Sequence, residues 1–172
     1  MKKKPIYLYV LLGLSAIGTL LGVWSRFFSE FSEVDYTQIG FSKELSDQTN
    51  QFNKLYFEFL RNGMNMLIFF VMTALLIASI VFLVRKNLQM ANISYIVYIL
   101  ISLLSQVYVY ISSKGIVGKV FTSPENIATH SNSLLLGTVL GFIISLIYLS
   151  IVVFKLIQQQ KEAEKAELAA SE

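Results

Sequence analysis

The chain has 172 residues, of which 55 % are hydrophobic and only 15 % are charged, and its formal net charge is +3. A soluble domain of this size carries about a quarter charged residues, so the composition indicates a single membrane domain. The small, scattered charge argues against nucleic-acid binding, and the absence of cysteine excludes disulfides, a thiol nucleophile and cysteine-bound zinc.

Four apolar runs divide the chain and predict its architecture. Each is close to the ~20 residues that a helix needs to cross ~30 Å of hydrocarbon, and they lie at about 6–24, 66–84, 93–111 and 134–154. Between and after them we expect outer loops at 25–63 and 112–132 and a tail at 155–172. The expected fold is an all-α integral membrane protein with four transmembrane helices and a helical extracytoplasmic cap in the first outer loop.

Basic residues beside the spans predict the orientation. The run Lys2–Lys4 precedes the first span, Arg85 and Lys86 lie in the short turn between the second and third, and Lys155 follows the fourth. Since short loops rich in Lys and Arg stay in the cytoplasm, we expect both termini there. Two inner termini and a large first outer loop resemble the topology of claudin-type proteins, although the loop cysteines of that family are absent. The lack of cysteine, and of a glycosylation site in the outer loops, fits a bacterial plasma membrane.

A basic N-terminus before an apolar run is also typical of a secretory signal. This run is long for a signal, and no Ala-x-Ala-like cleavage site follows it. We therefore expect it to be retained as the first span, with Trp24 at the outer interface.

Small residues four apart occur in the first and fourth spans. They are Gly18 and Gly22 in the first, and Gly137 and Gly141, followed by Ser145, in the fourth. Such strips let two helices approach closely. We expect them to pack the spans inside one four-helix bundle, and a dimerisation face is the alternative.

The first outer loop is rich in aromatic residues, which makes it the expected docking region. Phe27, Phe28 and Phe31 lie at helical spacing and predict a short helix along the outer interface. From Ser42 to Arg61 the pattern predicts an amphipathic helix, whose apolar face includes Leu45, Phe52, Leu55 and Phe59. This face either folds back over the outer ends of the spans or docks a partner.

The third span carries a polar stripe, formed by Tyr95, Tyr98, Ser102, Ser105 and Gln106. Steps of three, four, three and one residues place these side chains along one face of a helix. Because hydroxyls and amides need hydrogen-bond partners in hydrocarbon, this face should point into the bundle or a subunit interface. Interhelical hydrogen bonding is the expected role, and a polar substrate path is the alternative.

The second outer loop contains a helix start, with Ser123 as N-cap and Pro124 at the first helical position. We expect a short helix that ends near His130, with that histidine as an ordinary surface residue. After the fourth span, a tail rich in Gln, Lys, Glu and Ala should continue the helix into solvent.

The predicted spans contain no Asp, Glu, Lys, Arg or His. Intramembrane ionisable residues mark proton relays and ion sites, so their absence argues against a proton-coupled carrier. No phosphate loop, HExxH or GxSxG motif is present. We expect a non-catalytic protein without cofactor or metal.

These features favour an accessory, scaffold or regulatory subunit of a transporter or cell-envelope complex. It would contact membrane lipids and a membrane-protein partner through helix packing and outer-loop docking. The alternative is a small self-associating pore or carrier that uses the polar stripe, which would make the protein a homo-oligomer. An enzyme acting on lipid or cell-wall precursors at the outer face is a third, less favoured hypothesis.

Overall fold

The computed structural model describes residues 5–171, except for the side chains of residues 166, 167 and 169–171, and within this range the ordered elements are helices without strands. The basic run Lys2–Lys4 and the terminal Glu172 lie outside the described residues. The α-helices are α1 Ile6–Val23, α2 Lys43–Leu60, α3 Gly63–Val84, α4 Leu88–Val120 and α5 Pro124–Ser171.

Four segments are long and apolar enough to cross a membrane. They are Ile6–Phe28, Gly63–Val84, Leu88–Val120 and Pro124–Lys165. The prediction of an all-helical chain with four such segments is therefore confirmed. The amphipathic helix expected from Ser42 onwards is also present as α2, with the Ser42 hydroxyl accepting a hydrogen bond from the Leu45 N–H at 3.2 Å.

The expected second outer loop is mostly helical. α4 continues to Val120 and α5 begins at Pro124, which leaves only residues 121–123 between them. The prediction that the helix from Pro124 ends near His130 is wrong, because this helix continues through the fourth span as part of α5. No proline or glycine lies between Pro124 and Gly137, so nothing in the sequence stops the helix once it has started.

The first outer loop also differs from the prediction. α1 is extended by a π-helical turn at Trp24–Phe28, and the helix ends at Ser29, whose backbone is extended. Residues 29–35 are irregular, and a 3-10 turn follows at Tyr36–Ile39. The short helix expected to include Phe31 does not form. Instead, the Asn50 side chain on α2 binds both backbone groups of Val34, accepting from its N–H at 3.0 Å and donating to its C=O at 2.8 Å. An amide side chain thus takes the place of a neighbouring strand.

The turn between α3 and α4 is tight. Lys86 adopts the left-handed conformation with φ 61°, and the Asn87 N–H donates to the Phe82 C=O at 2.9 Å. Together these two features form a Schellman motif, which ends α3. The Asn87 side chain then caps α4 by accepting from the Met90 N–H at 3.2 Å. This geometry makes α3 and α4 antiparallel neighbours, as the short basic turn predicts.

Two buried clusters hold the helices together. The larger one joins all four spanning helices and consists of Leu8, Leu11, Leu12, Leu76, Leu83, Ala91, Tyr95, Ile99 and Val152. The smaller one attaches α2 to the end of α4 through Phe52, Val117, Val120 and Phe121. The space between the two clusters is where most of the polar stripe lies.

Candidate functional site

The stripe residue nearest the start of α4, Tyr95, is packed in the core. Tyr95 is fully buried, its hydroxyl lies 2.8 Å from the Ser15 hydroxyl, and it donates to the Leu11 C=O at 3.3 Å. Tyr98 stacks on Tyr95 with the ring centroids 5.5 Å apart. These contacts satisfy the Tyr95 hydroxyl and attach α4 to α1, as expected for a polar group in hydrocarbon.

The last residue of the stripe along α4, Gln106, faces α5. Gln106 Nε2 donates to the Ser145 hydroxyl at 3.0 Å and lies 3.4 Å from the Ser102 hydroxyl. Gln106 Oε1 is buried and has no hydrogen-bond partner among residues 5–171. A Cβ at Gly141 would lie 2.6 Å from this oxygen, so the amide fits between the helices only because position 141 is glycine.

Three cavities meet along the stripe. The α1–α3–α4 cavity has a volume of about 210 Å³ and includes Tyr98 and Ser105 in its wall. The α4–α5 cavity, of about 430 Å³, includes Ser102, Ser105 and Gln106. The α1–α4–α5 cavity, of about 180 Å³, includes Tyr98 and Ser102. Four of the five stripe residues therefore line space inside the bundle, and the buried Tyr95 lies beneath them.

Arg26 belongs to this site, although its position in the sequence suggested a loop residue. It lies on the π-helical turn that extends α1, and its side chain forms part of the wall of the α1–α3–α4 cavity. The guanidinium lies 4.4 Å from the centre of the Phe69 ring. The spacing Gly18, Gly22, Arg26 was a usable signal, because residues four apart share one helix face.

The glycine strips are used unequally inside the chain. A Cβ at Gly22 would approach the Phe69 ring to 3.0 Å, and one at Gly141 would meet Gln106. Added Cβ atoms at Gly18 and Gly137 would meet nothing within 4 Å. One glycine of each strip thus permits close packing within the bundle, and both glycines of each strip line a cavity.

The apolar face of α2 contacts the chain's own helices. Phe52 is buried, and Leu45 and Leu55 are half-buried against the same cluster. Phe59 lies with its ring centroid 5.7 Å from that of Tyr108 on α4. Of the two alternatives stated for this face, folding back onto the spans or docking a partner, this arrangement is the first.

The aromatic residues that follow α1 are more open. Phe27 and Phe28 are exposed by 49 % and 65 %, and Phe28 stacks on Trp24 with centroids 5.5 Å apart. Phe31 is half-buried and lies 6.1 Å from the Phe57 ring on α2. Of the residues proposed for docking, Phe27 and Phe28 therefore retain the freest surface.

A closed ring of hydrogen bonds lies at the end of the bundle opposite α2. Tyr7 donates to Asn92 Oδ1 at 2.9 Å, Asn92 Nδ2 donates to Gln159 Oε1 at 3.1 Å, and Gln159 Nε2 donates back to the Tyr7 hydroxyl at 3.0 Å. The ring joins α1, α4 and α5. Sequence reasoning missed it, because its three members are far apart in the chain and belong to no motif.

Within the described residues, the cavities are lined by side chains that can hydrogen-bond to a ligand, but not by the acids or histidines that acid–base chemistry needs. Hydroxyl, amide and guanidinium groups line them, and no acidic side chain or histidine of the described part of the chain does so. Across residues 5–171 no group of three His, Asp or Glu side chains could hold a metal ion. His130 lies against Phe121, with ring centroids 4.0 Å apart.

Almost the whole chain matches one family model. The model is described as "Domain of unknown function (DUF8777)" and matches residues 1–165. No curated protein and no solved structure matches the chain.

Proposed function

Because the chain belongs to the family of the domain of unknown function DUF8777, we propose its function from its own geometry. It is a non-catalytic multi-pass membrane protein that acts as an accessory, scaffold or regulatory subunit of a transporter or cell-envelope complex. It lies in the plasma membrane with both termini in the cytoplasm, an orientation supported by Arg85 and Lys86 in the α3–α4 turn.

The observation that carries this proposal is the form of α5. This helix has 48 residues, which corresponds to about 72 Å at 1.5 Å per residue, far more than the ~30 Å of a hydrocarbon core. In the apolar 18-residue stretch of this span, only 6 % of the residues are buried within the chain, against 17 % in the corresponding stretches of the spans that contain α1 and α3. One helix therefore offers a partner both an apolar face within the membrane and a polar extension outside it.

The free face of α5 consists of aliphatic side chains that are about half exposed or more. They include Leu136, Leu140, Ile143, Ile144 and Ile147. In a lone subunit this face meets lipid, and in an assembly it can exchange lipid for another helix at little cost, because association in membranes depends on packing.

Affinity purification of the tagged full chain in mild detergent tests the proposal, with mass spectrometry to identify any second protein. Leu140→Trp with Ile147→Trp keeps the face apolar but changes its shape, and should remove the partner. Leu104→Trp, at a side chain of α4 that is 71 % exposed, is the matched control and should leave the partner bound. Isolation of the protein as a bare monomer would count against a subunit role.

The three cavities favour a second candidate, a small pore or carrier. The stripe residues Tyr98, Ser102 and Gln106 would line the path of a polar solute. Ser102→Leu with Gln106→Leu should then abolish flux in proteoliposomes while the mass of the assembly stays unchanged. Equal flux in both proteins would reject this path.

A further inference from the structure

We propose that the α1–α3–α4 cavity binds the phosphate group of a membrane lipid, with Arg26 as its counter-charge. The same chemistry would accept free phosphate, so the two sources are separated by experiment below. This inference goes beyond the subunit role and does not depend on it.

The direction of the Arg26 side chain is the first argument. Helical side chains lean towards the N-terminus of their helix, and Arg26 Nη1 lies 3.4 Å from the Gly22 C=O, one turn back along α1. An arginine that only sought water would extend its charge past the end of the span. Here the charge is turned into the bundle, onto the face of Phe69.

Gly22 makes this direction sterically possible. A Cβ at position 22 would lie 3.3 Å from Arg26 Nη1 and 3.0 Å from the Phe69 ring, closer than such atoms usually approach. The glycine strip of α1 therefore provides a channel in which the guanidinium lies.

The charge of Arg26 is not neutralised inside the chain. Its Nε is buried without a hydrogen-bond partner, and no carboxylate of residues 5–171 pairs with it. A guanidinium has five N–H donors, and leaving a partly buried charge unpaired is unfavourable. Arg26 donates through Nη1 to one backbone oxygen, that of Gly22. Arg61 donates through Nη2 to two, those of Ser25 and Ser29, although its own Nε is also buried without a partner.

The cavity offers further hydrogen-bond donors and room. Tyr98 and Ser105 line it, and neither hydroxyl has a hydrogen-bond partner within the described part of the chain. Its volume is about 210 Å³, whereas one water occupies about 30 Å³ of liquid. Its wall also contains Ile68 and Met72, which suit the apolar part of a lipid.

Depth and access favour a lipid as the source of the phosphate. Arg26 lies in the last turn of the span Ile6–Phe28, beside Trp24, a residue type enriched at the level of lipid headgroups. Gly18 lines the cavity and is itself exposed, so the cavity opens sideways. Guanidinium binds phosphate through paired hydrogen bonds.

Native mass spectrometry of the detergent-solubilised full chain tests the proposal. The probes are dioleoylphosphatidic acid and dioleoylglycerol, which share their acyl chains and differ in the phosphate. The protein should retain the phosphate-bearing lipid and not the other. Arg26→Gln should weaken this binding at least about tenfold, and Arg26→Lys should weaken it less. Lys54→Gln, which removes an exposed charge from α2, should change it less than twofold.

A second variant keeps the test decisive if Arg26→Gln does not fold. Gly18→Leu adds bulk at a cavity-lining position where a Cβ meets no atom within 4 Å, so it should occupy part of the cavity and reduce binding. Gly13→Leu, at an exposed and equally open glycine of α1 outside the cavities, should not. Inorganic phosphate that displaces the lipid would identify the anion as the ligand, and phosphate without effect would show that the acyl chains are needed; both support the site. Equal retention of the two lipids, or full binding by a folded Arg26→Gln protein, would overturn the proposal, and so would full binding by Gly18→Leu.

Discussion

The amide oxygen of Gln106 lies where a side chain at position 141 would begin. A Cβ at Gly141 would come within 2.6 Å of it, and the same amide reaches Ser145 one turn further along α5 with its nitrogen, at 3.0 Å. The glycine strip and the polar stripe, which are separate features of the sequence, therefore form one contact between α4 and α5.

Gly141→Ala should destabilise the protein. The added methyl group would displace the Gln106 amide and break its hydrogen bond to Ser145, which should cost about 1–3 kcal/mol. Gly137→Ala is the matched control on the same strip, because its Cβ would meet nothing within 4 Å. It should stabilise α5 by up to about 1 kcal/mol, since alanine is the better helix former. Thermal unfolding in detergent distinguishes the two, and equal melting temperatures would contradict the role of Gly141.

The ring of Tyr7, Asn92 and Gln159 should behave as one unit. Tyr7→Phe and Gln159→Met each break two of the three contacts, so the second substitution should cost little after the first. We expect a coupling energy of about 0.5–1.5 kcal/mol in a double-mutant cycle. Gln158→Met, which removes only the solvent-exposed hydrogen bonds to Lys155 and Glu162, is the control. Additive losses for Tyr7→Phe and Gln159→Met would show that the ring is not cooperative.

The spans could be predicted from sequence because hydrocarbon imposes one solution on a long apolar run, a helix. The same rule says little about where helices end. Arg26 looked like a loop residue because the apolar run was taken to stop at Trp24, yet the helical turn continues to Phe28. The irregular segment after Ser29 is held by Asn50 through its hydrogen bonds to Val34, a tertiary contact that no local propensity encodes.

The polar stripe shows the same difference between features that one helix encodes and features that depend on packing between helices. Its five residues share a helix face by spacing alone, so their direction into the bundle was predictable. The cavities around Tyr98 and Ser102, and the approach of Arg26 from α1, follow from how the four spanning helices pack. Single-helix periodicity carries no information about such spacing between helices.

Phe52→Ala should release α2 from the bundle. Phe52 is buried against Val117, Val120 and Phe121, and truncating a buried phenylalanine costs roughly 3–5 kcal/mol. Because α2 is one local unit, the loss should appear as faster proteolysis within Lys43–Leu60. Phe28→Ala, at a side chain that is 65 % exposed, should leave the cleavage rate unchanged. Equal rates for wild type and Phe52→Ala would mean that α2 is held by other contacts.

Cysteine labelling should reveal the orientation, since the native chain contains no cysteine. Asp47→Cys lies on an exposed position of α2, and Asn87→Cys lies on an exposed position of the α3–α4 turn and keeps both basic residues of that turn. Because the basic turn should remain in the cytoplasm, an impermeant maleimide added to intact cells should label position 47 and not position 87. Permeabilised cells provide the control, in which both positions should react. Labelling of position 87 alone in intact cells would reverse the proposed topology and place the Arg26 cavity near the cytoplasmic leaflet.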